Sequence, residues 1–120
     1  MEAPVYDKAK KTIAIDFDGV IHAYSKGWQE GVIYDEPVEG VIEALVKLSK
    51  DYKLVIYTTR VNTEYFPEND AQMLMIKNWL RRNLMDANIE VTDRKPPAIA
   101  YIDDRAIRFT NWPDMVKYFA

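Results

Sequence analysis

Apolar residues along this chain fall into short unbroken runs and into longer stretches spaced three and four apart. These are the two patterns that mark buried strands and helices. Residues 12–17 (TIAIDF) open with such a run, rich in β-branched side chains, and predict a first strand. Residues 53–57 (KLVIY) predict a second buried strand, residues 89–91 a short strand, and residues 98–102 (AIAYI) another. Between them, Val38, Val41, Ile42, Leu45, Val46 and Leu48 carry helical spacing through residues 37–50. The clearest helix covers residues 69–85. Met73, Leu74, Ile76, Leu80 and Leu84 form its expected apolar face, and Asp70 lies near its start, where the helix dipole favours an anion. Met73, Met75 and Met85 read as helix packing. Residues 107–109 suggest a brief strand, and Asn111 with Pro113 predicts the cap and first turn of a last helix. Residues 19–36 contain Gly27, Gly31 and several aromatics. They suit a short hairpin or flap, with strand-like fragments at 20–24 and 32–34. Residues 1–11 are a polar lead-in.

Strands alternating with helices predict an α/β fold: a central parallel sheet with helices on both faces, a three-layer Rossmann-like arrangement. With 120 residues and no linker or repeat, the expectation is one domain spanning 1–120. Composition is ordinary for a globular protein, 48% hydrophobic and 29% charged. A net charge of −3 supplies no overall attraction to nucleic acid or an anionic membrane. There is no cysteine, which excludes disulfides and thiolate chemistry. The first residues lack the apolar core of a signal peptide, and no apolar run is long enough to span a bilayer. The expected location is cytoplasmic, with no membrane partner.

Three of the apolar runs end in polar residues: Asp16 and Asp18, Thr58 and Thr59, Asp103 and Asp104. In parallel sheets ligands bind beyond the carboxyl ends of the strands, so these groups are expected at one edge. Side chains two apart in a strand point the same way, which lets Asp16 and Asp18 face one ligand. Four carboxylates together need a counter-charge. A hard cation such as Mg²⁺ supplies it, since it prefers oxygen ligands and commonly bridges carboxylates and a phosphate. A carboxylate can also attack phosphorus to form an aspartyl-phosphate, which makes Asp16 a candidate nucleophile and Asp18 a candidate proton donor and acceptor. Gly19 lets the backbone turn away sharply after them.

With these motifs in order, the chain resembles the haloacid dehalogenase (HAD) superfamily of phosphohydrolases. The resemblance rests on Asp16-Phe17-Asp18-Gly19-Val20 after the first strand, Thr58 after LVIY, Lys95 in DRKPPAIAYIDD, and the pair Asp103-Asp104. It covers about residues 12–105. It implies Asp16 as nucleophile and metal ligand, and Asp18 as general acid/base and metal ligand through its backbone carbonyl. Thr58 would bind the phosphoryl oxygens, with Thr59 the less favoured choice. Lys95 would hold the Asp16 carboxylate and offset phosphoryl charge. Asp103 and Asp104 would complete the Mg²⁺ site, with the direct ligand of the two left open. The Asp18 residue also separates the chain from the dehalogenase branch. Gaps too short for a cap domain point to a capless form, whose relatives often act on large substrates or borrow a neighbouring subunit as lid. The expected partner is therefore a phosphorylated substrate, with nucleic acid, protein and carbohydrate among the classes, and a homo-oligomer is a further expectation.

Other readings stand beside these. A non-catalytic or regulatory phosphate-binding module could retain the same motifs. Receiver domains share an acidic cluster, a Thr and a Lys, but YTTR at the end of the middle strand offers no phosphorylatable Asp. Arg60 and Arg105 are as well suited to pairing with a carboxylate as to gripping substrate. His22, the only histidine, reads as a polar surface residue. Tyr24, Trp28 and Tyr34 read first as packing, and second as a stacking surface for a sugar or base.

Overall fold

The structure is a computed structural model that describes residues 11–67 and 71–120. The predicted start of the second helix at Asn69 and Asp70 lies outside the described residues. The chain forms strand β1 (Thr12–Ile15), helix α1 (Val41–Ser49), strand β2 (Lys53–Tyr57), helix α2 (Gln72–Arg82), strands β3 (Glu90–Thr92) and β4 (Ala100–Ile102), and helix α3 (Trp112–Lys117). The four strands make one all-parallel sheet in the order β3-β2-β1-β4. This is an α/β fold with the predicted order of strands and helices. Among the described residues, no helix is long and apolar enough to cross a membrane.

Register places Ile15 beside Ile56 and Ile102, and Ile56 beside Val91. The ladder runs one residue past the strands on both sides of the sheet. The Asp16 N–H donates to the Ile102 carbonyl and the Thr58 N–H to the Thr92 carbonyl, each at 2.9 Å. These bonds fix the backbone of two site residues. Alternation along β1 sends Ile13, Ile15 and Phe17 into one core cluster with Val41 of α1 and Ile76, Trp79 and Leu80 of α2. Asp16 falls on the alternate set with Ala14.

Several expectations change. Residues 19–36 form turns rather than strands, with only isolated bridges at Asp18–His22 and His22–Pro37. Tertiary hydrogen bonds from buried side chains shape this segment in place of a hairpin ladder. Residues 107–109 form no strand. The buried side of α2 consists of Gln72, Ile76, Trp79 and Leu80, while Met73, Leu74 and Leu84 are exposed. A broad stripe of apolar residues left that helix's rotation ambiguous, and Trp79 decides it by packing edge-on against Phe17 at 5.3 Å. Met75 and Met85 do pack against the core. The strand expected at 98–102 forms as β4 at the sheet edge, paired with β1, and all three of its residues are exposed. Exposed apolar side chains continue through Ile107, Phe109 and Trp112. The last helix forms as expected, with Asn111 Oδ1 accepting from the Asp114 N–H at 2.9 Å and Pro113 in the first turn.

Candidate active site

Because the strands are parallel, Asp16 after β1, Thr58 after β2 and Asp103 and Asp104 after β4 arrive at one edge. There they line a cleft of about 500 Å³, together with Asp18, Thr59, Arg60 and Arg105. Gly19 makes the close approach of two loops feasible. It has φ of 83°, and a side chain there would collide with the Asp104 carboxylate.

The acidic groups divide into two sets. Asp16, Asp103 and Asp104 each offer an oxygen within 4.8 Å of the others. Asp16 Oδ1 accepts the Phe17 N–H at 2.8 Å, and Asp103 Oδ1 accepts the Arg105 N–H at 2.7 Å. Among the described residues, no side-chain cation contributes to the electrostatic setting of Asp16. Burial first, then the charges of Asp103 and Asp104, push its carboxyl up to about 7 against the Phe17 hydrogen bond. Three crowded carboxylates form an all-oxygen set that could hold a metal ion, and a hard cation there would offset this repulsion.

Asp18 lines the same cleft but has different partners. Its Oδ2 accepts from Arg60 Nε at 2.7 Å and its Oδ1 bonds His22 Nδ1 at 2.9 Å. Burial raises its carboxyl, but hydrogen bonds from His22 and Arg60, with the Arg60 charge, outweigh that and hold it below the ordinary value. Two carboxylates separated by one residue thus sit in opposite electrostatic settings.

Arg60 is only 2% exposed, and an arginine is rarely so buried without partners. Its Nη1 donates to the Gly31 carbonyl at 3.0 Å and to Gln72 Oε1 at 3.1 Å. Gln72 Nε2 reaches the same Gly31 carbonyl at 2.8 Å. The guanidinium also lies under the Trp28 ring, 4.9 Å from its centroid. Arg60 therefore ties Asp18, residues 19–36 and α2 together, and pairing with a carboxylate is the role that its geometry expresses. Its position follows from Thr58, whose Oγ1 accepts the Arg60 N–H at 3.2 Å and caps the helical turn Thr59–Val61.

Other predicted residues fall in different places. Lys95 is exposed and outside the cleft, with Nζ 4.8 Å from the centroid of the Tyr101 ring. Thr58 is buried and Thr59 exposed, and both line the cleft. Tyr24 and Trp28 line it too, whereas the Tyr34 hydroxyl is spent on the Gly27 carbonyl and the Lys26 N–H. Phe66, which no sequence motif marks, stacks on Trp28 with centroids 5.0 Å apart and adds to the aromatic wall. His22 is fully buried, contrary to its expectation as a surface residue, because both ring nitrogens have partners and the ring stacks on Phe17. The signal available in the sequence was its spacing, four residues after Asp18 in a segment too rich in glycine for a helix. Gln72 gave none, since it reads as an ordinary helical polar residue. No family model, curated protein or solved structure matches this chain.

Proposed function

We propose that this chain is a Mg²⁺-dependent phosphohydrolase of the HAD type, hydrolysing a phosphomonoester through an aspartyl-phosphate on Asp16. The observation that carries the reading is the convergence of Asp16, Asp103 and Asp104 at the carboxyl edge of a parallel sheet, with Asp18 beside them but turned toward Arg60. In this reading the domain is a capless, three-layer Rossmann-like unit, and residues 19–36 act as its flap.

Asp16, Asp103 and Asp104 would hold Mg²⁺, which supplies positive charge against the phosphoryl oxygens. An Asp16 carboxylate oxygen attacks phosphorus, the P–O bond to the leaving group breaks, and the leaving oxygen departs with the bonding pair. Thr58 and Thr59 lie at the cleft wall where they can donate hydrogen bonds to phosphoryl oxygens. A water then attacks phosphorus of the aspartyl-phosphate and its proton passes to Asp18, while the P–O bond to Asp16 breaks, releasing inorganic phosphate and the Asp16 carboxylate; Asp18 hands the proton to the next leaving oxygen or to solvent. Asp18, held ionised by Arg60 and His22, suits that second step as base. Aryl phosphates, whose leaving groups need no proton, bypass the acid role in the first step.

A second reading, a non-catalytic phosphate-binding module, draws on the position of Lys95 away from the cleft and on the engagement of Arg60 with Asp18. Multiple turnover of para-nitrophenyl phosphate with Mg²⁺, abolished by chelation, is the expected result. Stoichiometric binding without turnover would favour the second reading.

A further inference from the structure

His22 is a buried residue to which this chemistry gives no contact with substrate, and its surroundings determine where its ring proton resides. Nε2 accepts a hydrogen bond from the backbone N–H of Asp35 at 3.0 Å. A backbone N–H can only donate, so Nε2 carries no proton in this arrangement. The ring's single proton is then on Nδ1, where it points at Asp18 Oδ1, 2.9 Å away. Residue 35 is itself anchored on its other side, since the Asp35 carbonyl, on the following peptide unit, accepts from Trp79 Nε1 at 3.0 Å. The ring is clamped as well. It stacks on Phe17 with centroids 5.5 Å apart and meets Tyr34 and Trp79 edge-on at 5.2 and 5.5 Å. A fixed peptide sets the tautomer, the tautomer makes Nδ1 a donor, and that donor and Arg60 grip opposite oxygens of one carboxylate.

We infer that His22 is a positioning residue for Asp18: it acts in hydrolysis through the Nδ1–H tautomer imposed by the Asp35 peptide, not by touching substrate. Arg60 alone leaves the carboxylate free to rotate about its bond to Nε. The second donor on Oδ1 removes that freedom and fixes which lone pairs of Asp18 face the cleft. Misplacing a catalytic group by about 1 Å costs about 10²-fold in rate, so the loss from releasing this grip falls on kcat.

The inference rests on the phosphatase reading, and two measurements separate the failure of one from the failure of the other. Long-range ¹H–¹⁵N correlation spectra of the whole protein read the His22 tautomer without reference to activity. The expected spectrum has the proton on Nδ1 and changes on Asp18→Asn. A proton on Nε2 overturns the proposal in an active enzyme. Kinetics on para-nitrophenyl phosphate with Mg²⁺ supplies the second measurement. His22→Phe keeps a stacking ring but removes the donor, and is expected to lower kcat by about 10²-fold with KM unchanged. His22→Asn retains an N–H donor one bond from Cγ, and is expected to restore most of that loss. In the Asp18→Asn background, His22→Phe should add no further loss, because the group it positions is gone. Full additivity of the two substitutions, or a loss confined to KM, contradicts the proposal. A wild-type protein with the Nδ1–H tautomer but no turnover contradicts the phosphatase reading, and with it a catalytic consequence for His22.

Discussion

Asp16 and Asp18 share one short motif, yet one carboxyl is pushed up to about 7 and the other is held below its ordinary value. The difference comes from what the fold brings to each side. Asp16 meets Asp103 and Asp104 from the edge strand β4, all like charges. Asp18 meets Arg60 from the turn after β2 and His22 from its own loop, both donors. One flank gathers like charges, and the other already contains a cation. Environment rather than residue type thus shifts two identical side chains in opposite directions.

Removing the charge on the acidic flank should have the largest effect. Asp16→Asn keeps the shape but deletes the attacking oxygen's charge, and is expected to reduce turnover by about 10⁴-fold or more, measured as kcat with saturating Mg²⁺. On the other flank, Asp18→Asn should cost about 10²–10⁴-fold in kcat while leaving Mg²⁺ affinity nearly unchanged. Asp103→Asn with Asp104→Asn should do the reverse, weakening Mg²⁺ binding in calorimetry. If Asp18→Asn lost the metal and the double variant kept it, the two flanks would have been assigned the wrong way round.

The comparison extends to stability. Arg60→Met leaves Asp18 without its buried counter-charge and removes the Nη1 bonds to Gly31 and Gln72. Breaking a buried pair in this way costs about 3–5 kcal/mol, to be read from urea unfolding. An unchanged midpoint would show that Arg60 does not hold the flank together. Asp16→Asn should have the opposite sign in the metal-free protein. The folded state binds the Asp16 proton up to about pH 7, whereas the ordinary value is 3.8. Stability is therefore full below that ordinary value and falls as pH rises toward 7. Because Asp16 is partly exposed, solvent screening leaves about 1–2 kcal/mol of gain for Asp16→Asn at pH 8, vanishing near pH 4. A gain that persisted at pH 4 would place its origin elsewhere. The same proton must leave when Mg²⁺ binds, so Mg²⁺ affinity should rise with pH up to about 7 and level off above it.

The two flanks also differ in how far the sequence revealed them. The acidic flank was legible because parallel strands carry their terminal residues to one edge whatever the detailed packing. Asp16 and the Asp103–Asp104 pair needed only the strand assignments. The other flank depends on contacts such as Asp35 with His22 and Arg60 with Asp18, 13 and 42 positions apart, and no local period encodes them. His22 therefore read as surface, and Gln72 went unnoticed. Lys95 illustrates the reverse case, a residue marked by its motif position whose side chain instead lies against Tyr101. The helix and strand order was legible from spacing, while the burial of each face was not. Residues 98–102 have the composition of a central strand but occupy an edge.

The central claim is that Asp16 becomes covalently phosphorylated. Acid-quenched incubation of the protein with an aryl phosphate and Mg²⁺, followed by peptide mass spectrometry, tests it directly. The expected result is a phosphoryl group on Asp16 in the wild-type protein, absent without Mg²⁺ and absent from Asp16→Asn. Turnover that leaves no covalent species and survives intact in Asp16→Asn would contradict the account.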